Sequence, residues 1–178
     1  MGFYYGSNYE FWLAKENDGF PSAVRLVRKN VKDSGDEGIE RFVDNEDGTV
    51  TDHVAKLMWK ATDSYIDKDK WVTWQEAKMY LVELNKERFA NYSDWRMPTR
   101  KEAQMLYDPS NPVTDKYGDT VFIVKGFPPG CGLTCWTKTL NKTDKTLAMR
   151  FHFYNGDYKW NKQGLRSHGV RPVRTLKE

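Results

Sequence analysis

The sequence predicts an α+β domain in which antiparallel or mixed sheets are combined with two short helices. Two capping boxes mark helix starts, because Thr73 is followed three residues later by Glu76, and Thr99 by Glu102. Short stretches of alternating apolar and polar residues, separated by turns rich in Asn, Asp and Gly, are typical of antiparallel strands. A chain of 178 residues can bury a sizeable core as one domain.

The two predicted helices flank a turn at residues 92–95. The second helix begins at about Arg100, because Pro98 disfavours the helical conformation of the residue before it. It is expected to end near residues 108–112, where two prolines stop a helix. The first helix follows Thr73, and its apolar residues recur at the three-and-four spacing of one helical face: Trp74, Ala77, Tyr80, Leu81 and Leu84.

Strands are predicted on both sides of the helices. A hairpin joins residues 41–43 and 49–51, and Gly48 supplies the positive φ of its turn. The acidic cluster in this turn lacks the spacing of a calcium loop, so turn chemistry is the better account. Residues 62–70 are interpreted as a polar loop. Further strands are expected at residues 57–59, 120–124, 134–139, 146–154 and 169–174, with a hairpin turn at residues 155–157.

The first forty residues are predicted to stand apart from the main domain. Residues 24–28 (VRLVR) match residues 170–174 (VRPVR), and an aromatic-rich hairpin precedes each copy. Residues 1–30 are therefore interpreted as a strand pair resembling the end of a preceding repeat, with a chance match as the alternative. Residues 31–40 are interpreted as a linker, and residues 41–178 as the main domain.

Charge is unevenly distributed along the chain. The net charge is +3, but residues 138–178 contain ten Lys or Arg and three Asp or Glu, which leaves them at +7 and the rest at −4. Such a basic segment attracts sulfated glycans, nucleic acids or acidic proteins, and a solvated basic face without a partner is equally open. No nucleic-acid recognition motif accompanies the basic residues, so nucleic acid is not an expected partner.

The remaining sequence signals favour a water-soluble domain without a metal or cofactor. The mean hydropathy is −0.80, and neither a membrane span nor a signal peptide is visible in the chain as given. Cys131 and Cys135 have no second pair of metal ligands nearby, and three scattered histidines add only a weak metal signal. A local disulfide and two free thiols are both open, and the disulfide is preferred. No motif for a cysteine nucleophile is present, so an enzyme is not expected.

Seven short motifs follow one another in a specific order: RFVDN (41–45), DGTVTD (47–52), LMW (57–59), TWQEA (73–77), YSDWRMPT (92–99), WTKT (136–139) and VRPVR (170–174). In this order they resemble the Lcl C-terminal domain family, which is named after the end domain of a bacterial collagen-like adhesin. The resemblance implies a C-type-lectin-like fold in a secreted or surface-attached bacterial protein. It also implies a ligand surface on the final strands, which in some members binds sulfated glycosaminoglycans.

Two departures and two alternatives accompany the resemblance. The tripeptides Glu-Pro-Asn and Gln-Pro-Asp, which mark calcium-dependent sugar binding in animal C-type lectins, do not occur in the chain. Lys142, Lys145 and Lys162 match no family motif, so a ligand role for them depends on charge alone. Lectin-like folds also serve as protein-binding modules of retroelement-diversified or fibre-tip type. A remote alternative is a formylglycine-generating type of enzyme, which resembles this fold and uses a cysteine pair.

The closing third of the chain is the predicted ligand-binding region. Aromatic faces stack on sugar rings, and Lys and Arg hold sulfate or carboxylate groups through charge-assisted hydrogen bonds. Tyr158, Trp160 and Lys162 are expected to point outward, and Trp136 and Phe151 inward. The full predicted ligand-binding set is Lys138, Lys142, Tyr154, Tyr158, Lys159, Trp160, Lys162, Arg166 and His168.

A second group of residues is predicted to be structural. Asp94 and Arg96 flank Trp95, and a carboxylate and a guanidinium beside a tryptophan most often lock a turn as a bidentate pair. Arg171 is expected to be structural as well. The sequence as a whole therefore predicts a non-enzymatic binding module whose ligand is an anionic glycan or a protein, and it leaves the oligomeric state open.

Overall fold

The structure, a computed structural model, describes residues 40–177. This part of the chain consists of antiparallel strands and short helices. These residues belong to one compact unit. The predicted strand pair at residues 1–30 lies outside the described residues, as does the predicted linker apart from its last residue. The predicted α+β class is confirmed at the level of few helices with antiparallel sheets.

Within residues 40–177, the strands form three antiparallel sheets, with strand orders β1-β2-β3-β9, β4-β5 and β6-β7-β8. The elements in chain order are β1 (Phe42–Asp44), β2 (Thr49–Asp52), β3 (Leu57–Lys60), α1 (Ser64–Lys68), α2 (Trp74–Lys86), a 3₁₀ turn (Phe89–Asn91), α3 (Arg100–Met105), β4 (Pro112–Thr114), β5 (Thr120–Phe122), β6 (Thr134–Leu140), β7 (Leu147–His152), β8 (Tyr158–Lys162) and β9 (Val173–Thr175).

Both predicted capping boxes are confirmed. The Thr73 hydroxyl accepts a hydrogen bond from the Glu76 backbone N–H at 3.1 Å, and the Glu76 carboxylate accepts one from the Thr73 N–H at 2.8 Å. Thr99 and Glu102 make the same reciprocal bonds at the start of α3. These bonds satisfy backbone donors that have no partner inside a helix, so the local sequence fixes where α2 and α3 begin.

The predicted polar loop at residues 62–70 is wrong, because it contains the helix α1. Asp63 caps this helix, and its carboxylate accepts hydrogen bonds from the backbone N–H groups of Tyr65 and Ile66 at 3.1 and 3.0 Å. Asp69 ends the helix in the left-handed region at φ 54°. A helix of five residues is too short to show a repeating apolar pattern, so periodicity did not indicate it.

Several predicted strands have different limits in the structure. The hairpin β1-β2 is confirmed, with Gly48 at φ 84° in its turn. The acidic side chains of this turn bond to its backbone, since Asp44 accepts from the Glu46 N–H and Asp47 from the Thr49 N–H. The strand predicted at residues 146–154 ends at His152, the last predicted strand shortens to β9, and β4 was not predicted.

Two apolar clusters fill the interior of the described part of the chain. Trp136 and Phe151 are fully buried, which confirms the prediction that they point inward. The first cluster packs α3 and the sheet β6-β7-β8 against β2 and β3, and the second packs α2 against Trp95 and Trp136. The predicted apolar face of α2 is buried as a set: Trp74, Ala77, Tyr80, Leu81 and Leu84.

A buried ion pair joins distant parts of the chain. Arg171, which is 1% exposed, places Nη2 3.4 Å from Oδ2 of Asp63 and donates to the Ala61 carbonyl. The same Oδ2 accepts a hydrogen bond from the Gly132 N–H at 2.8 Å. The Arg171 guanidinium also lies 4.8 Å from the centre of the Phe127 ring. Arg171 therefore holds three segments together through one carboxylate.

The predicted pair between Asp94 and Arg96 is wrong, because each residue pairs with a more distant partner. Asp94 accepts from Arg174 Nε at 2.7 Å, and Arg96 forms a bidentate pair with Glu102 at 2.9 Å. Trp95 between them is buried, and the Asn85 side chain bonds both its N–H and its carbonyl, at 2.8 and 2.9 Å. The turn is thus held by contacts to β9, α3 and α2.

We expect Asp63→Ala to lower the free energy of unfolding by about 3–5 kcal/mol, since it leaves the buried Arg171 charge without its counter-charge and removes the cap of α1. Urea unfolding followed by tryptophan fluorescence measures the change.

Asp119→Asn is the matched control. Asp119 is exposed, and its carboxylate makes no hydrogen bond or ion pair within residues 40–177, so its loss is expected to change stability by less than about 0.5 kcal/mol. A similar stability for the two variants would contradict the role of Asp63.

Candidate ligand-binding face

The sheet β6-β7-β8 carries most of the predicted ligand-binding residues, and its register divides them between two faces. Tyr158 lies opposite Phe151, Trp160 opposite Met149, and Lys159 opposite Arg150. Directly opposed residues of an antiparallel pair share a face, and successive residues alternate. We call the side of Tyr158, Trp160 and Lys162 the aromatic face, and the side of Arg150, His152 and Lys159 the arginine face.

The aromatic face presents rings and positive charge to solvent. Tyr158 is 43% exposed and Trp160 is 41% exposed, and Lys162 is exposed as well, which confirms the prediction that these side chains reach solvent. They do so from the edge strand β8, since Phe151 and Met149, opposite them on β7, are buried. Arg100, at the start of α3, places its guanidinium 4.2 Å from the centre of the Tyr158 ring. The confirmed capping box of α3 therefore positions a cation beside the aromatic residues.

The remaining predicted residues extend along the β7-β8 hairpin. Tyr154 is exposed in the β7-β8 turn, with its ring 5.9 Å from that of Phe122. Lys142 is exposed in the β6-β7 turn. This turn is next to Lys162, at the end of β8 that lies away from the β7-β8 turn. Because five strand residues span about 13 Å, these side chains form an elongated surface. Lys138 is exposed on β6.

Arg166 is exposed but already paired with a helix cap. Its guanidinium binds both carboxylate oxygens of Glu76, with Nε at 3.2 Å from Oε2. Glu76 also accepts from the Thr73 N–H, and this bond, followed by the ion pair with Arg166, lowers the pKa of the Glu76 carboxyl. Arg166 therefore contributes less free positive charge to a ligand than an unpaired lysine does.

His168 was predicted to bind ligand, and its position contradicts that prediction. It is 4% exposed and packs edge-on to Trp136 at 4.3 Å between ring centres. The Thr134 hydroxyl donates to the Ser167 carbonyl at 3.0 Å, so it accepts from Nδ1–H of His168 at 2.8 Å. His168 is thus a neutral core residue, and burial lowers its pKa to about 4.

The arginine face contains a residue that the sequence analysis missed. Arg150 lies in the central strand β7 and is 9% exposed, between Trp136 on β6 and Lys159 on β8. Lys159 is exposed, with Nζ 3.5 Å from the Asp157 carboxylate. The signal for Arg150 was an arginine within the otherwise apolar run of residues 147–151.

The two cysteines are free thiols in the structure, so the preferred disulfide is not formed. Both are buried, and burial raises the pKa of Cys131 to about 11 and that of Cys135 to about 12. A thiol acts as a nucleophile in its thiolate form, which such pKa values disfavour at neutral pH.

Other candidate sites are sparse in the described part of the chain. Within residues 40–177, no three His, Cys, Asp or Glu side chains are grouped in a way that holds a metal ion. No helix among those residues is long and apolar enough to cross a membrane. An open cleft of about 460 Å³ beside Asp44, Gly48 and Phe127 is lined by none of the predicted ligand-binding residues.

The fold and the exposed strand β8 define a small α+β domain that presents aromatic and basic side chains at one edge of a three-stranded antiparallel sheet. The family model of the Lcl C-terminal domain matches residues 48–174, and the chain therefore belongs to the Lcl C-terminal domain family. This match confirms the resemblance over the motifs from DGTVTD (47–52) onward, while RFVDN (41–45) precedes the matched residues. No curated protein matches the sequence.

We expect the titration of His168 to lower the free energy of unfolding by about 3 kcal/mol as the pH falls from 7 to 4. Its pKa is about 4 in the folded protein against an ordinary value of 6.5, so the unfolded chain binds more protons in this pH range and gains stability relative to the folded chain. Urea unfolding at several pH values measures the fall.

His168→Asn is the comparison variant, because an asparagine amide N–H can replace Nδ1–H toward Thr134 but does not titrate. The pKa of His152 is also lowered, by burial first and then by Arg150, but His152 is present in both proteins. An equal loss of stability in the two proteins between pH 6.5 and 4 would show that His168 is not the titrating group.

Proposed function

We propose that this domain is a non-enzymatic ligand-binding module of a secreted or surface-attached bacterial protein, and that it binds anionic, sulfated glycans on the aromatic face. A C-type-lectin-like fold, which the family resemblance implies, is part of the proposal. The observation that carries it is the exposed pair Tyr158 and Trp160 with two cations, Arg100 and Lys162, on the same side of the sheet.

The chemistry of the aromatic face fits a sulfated sugar. A sugar ring stacks on an exposed indole or phenol ring, and sulfate groups accept charge-assisted hydrogen bonds from guanidinium and ammonium groups. Within residues 40–177, Arg100 and Lys162 have no ion pair with a carboxylate, so their charges are available to a ligand. Lys142, at the end of the hairpin next to Lys162, extends this positive charge.

A protein ligand is the second candidate, and the exposure of Tyr154, Tyr158 and Trp160 favours it. Exposed aromatic residues that lie close together are common anchors of protein interfaces. Salt separates the two functions, because binding dominated by sulfate and lysine weakens steeply with ionic strength, whereas burial of aromatic rings does not.

The test is a glycan array that includes sulfated glycosaminoglycans, probed at two salt concentrations, followed by titrations with the best ligand. We expect binding to sulfated glycans that weakens at the higher salt. Trp160→Ala is expected to weaken binding about tenfold through loss of stacking. Lys162→Gln is expected to weaken binding and to reduce its salt dependence.

Tyr117→Ala and Lys125→Gln are matched controls, since both residues are exposed and lie outside the sheet β6-β7-β8. They are expected to bind as the unmodified domain does. If no sulfated glycan binds at either salt, the glycan proposal is wrong and a protein ligand becomes the leading function. If Trp160→Ala and Tyr117→Ala bind equally well, the ligand does not lie on the aromatic face.

A further inference from the structure

Arg150 is a buried charge without a partner. It is 9% exposed, and of its guanidinium nitrogens Nη1 is fully buried without a hydrogen bond, whereas Nε and Nη2 keep some contact with solvent. Within residues 40–177, neither a carboxylate nor a carbonyl accepts a hydrogen bond from its guanidinium, and it has no ion pair. Arg171 is the contrasting case, because it is more deeply buried, at 1% exposed, but is bonded to Asp63 and to the Ala61 carbonyl, with its Nε as the nitrogen that lacks a partner.

Such an arrangement is costly unless water or a ligand accepts the remaining hydrogen bonds. Buried charges in proteins are normally paired and hydrogen-bonded, because an isolated charge loses its hydration without compensation. An arginine is never deprotonated in a protein, so it cannot avoid this cost by losing its proton. Burial lowers the pKa of the Arg150 guanidinium below its ordinary value, and the charge of the Asp157 carboxylate opposes this shift without cancelling it.

The groups around Arg150 are mostly donors. Lys159 lies directly opposite it on β8 and is exposed, so it forms the outer rim of the cluster. His152, two residues along β7 on the same face, accepts from the Tyr154 N–H through Nδ1 at 3.2 Å, so the hydrogen of its neutral ring is on Nε2.

The other titratable neighbours do not neutralise the cluster. The Asp157 carboxylate accepts from the Tyr158 N–H at 2.7 Å and lies 3.5 Å from Lys159, but it makes no hydrogen bond to Arg150. His168, beneath Trp136, is neutral and already has two hydrogen-bond partners, Thr134 and Ser167.

We propose that Arg150, Lys159 and His152 form a binding site for a tetrahedral oxyanion, a sulfate or phosphate group, on the arginine face. The guanidinium supplies paired N–H donors, and Lys159 and His152 supply further donors at the rim. Because this face is opposite the aromatic face, the site is independent of the proposed stacking of sugars on Trp160. The oxyanion can be free in solution or part of a sulfated sugar.

The test is a titration of the domain with sodium sulfate at constant ionic strength, followed by NMR at the Arg150 Nε–H and the His152 ring. We expect saturable shifts of both signals. Arg150→Met is expected to lower the affinity for sulfate at least tenfold, measured on the His152 signal, and Lys159→Gln to lower it about threefold. The control Lys125→Gln is expected to match the unmodified domain.

The unfolding temperature of Arg150→Met shows whether this variant still folds, and Lys159→Gln tests the site if it does not. Without sulfate, Arg150→Met is expected to unfold at the same temperature as the unmodified domain or at a higher one, because methionine removes an uncompensated charge and keeps much of the volume. The proposal is overturned if the unmodified domain shows no saturable response. It is overturned equally if Lys159→Gln binds sulfate as tightly as the control Lys125→Gln and the unmodified domain do.

A sulfated disaccharide identifies the source of the oxyanion. Tighter binding of the disaccharide than of inorganic sulfate, lost in Arg150→Met, supports the site with a sugar as the carrier. Equal binding supports the site with a free anion as the ligand. Trp160→Ala is expected to retain the sulfate response even where it loses glycan binding, so failure of the aromatic face and failure of this site are distinguishable.

Discussion

The carboxylate of Asp63 is the contact on which the arrangement of this domain depends. It caps α1, accepts from the Gly132 backbone and faces the buried Arg171, 108 residues later in the chain. Ser64 beside it exchanges hydrogen bonds with Val170. The segment held in this way then bonds to β6, because Gly169 and the backbone of Thr134 and Trp136 exchange hydrogen bonds at 2.9 and 2.8 Å. One buried charge pair thus connects the four-stranded sheet to the sheet β6-β7-β8.

The local features of this fold were predictable from the sequence, and the long-range ones were not. Capping boxes at Thr73 and Thr99 and the turn at Gly48 act over three to five residues, so short patterns reveal them. Arg96 and Asp94 illustrate the opposite case: they are two residues apart, yet each finds its partner elsewhere, in Glu102 and Arg174. Sequence proximity is a poor guide to ion pairs once the fold offers a closer guanidinium or carboxylate.

The same limit applies to the candidate site. The exposure of Tyr158 and Trp160 and the burial of Phe151 were predicted correctly, but alternation is not the reason, because Tyr158 and Phe151 share a face. They differ in exposure because Phe151 lies in the central strand β7 and Tyr158 in the edge strand β8. Alternation did not reveal that Lys159 and Arg150 share the opposite face, since that depends on the register between β7 and β8. Nor did it indicate that His168 is covered by Trp136, because that contact joins the closing loop to a strand more than thirty residues earlier.

A crystal structure of the domain with a sulfated oligosaccharide would test whether a sulfated glycan binds on the aromatic face. We expect a sugar ring against Trp160 or Tyr158, with sulfate oxygens within hydrogen-bond distance of Lys162 or Arg100. If the oligosaccharide binds elsewhere, such as in the cleft beside Asp44 and Phe127, and leaves the aromatic face unoccupied, the proposed function is wrong.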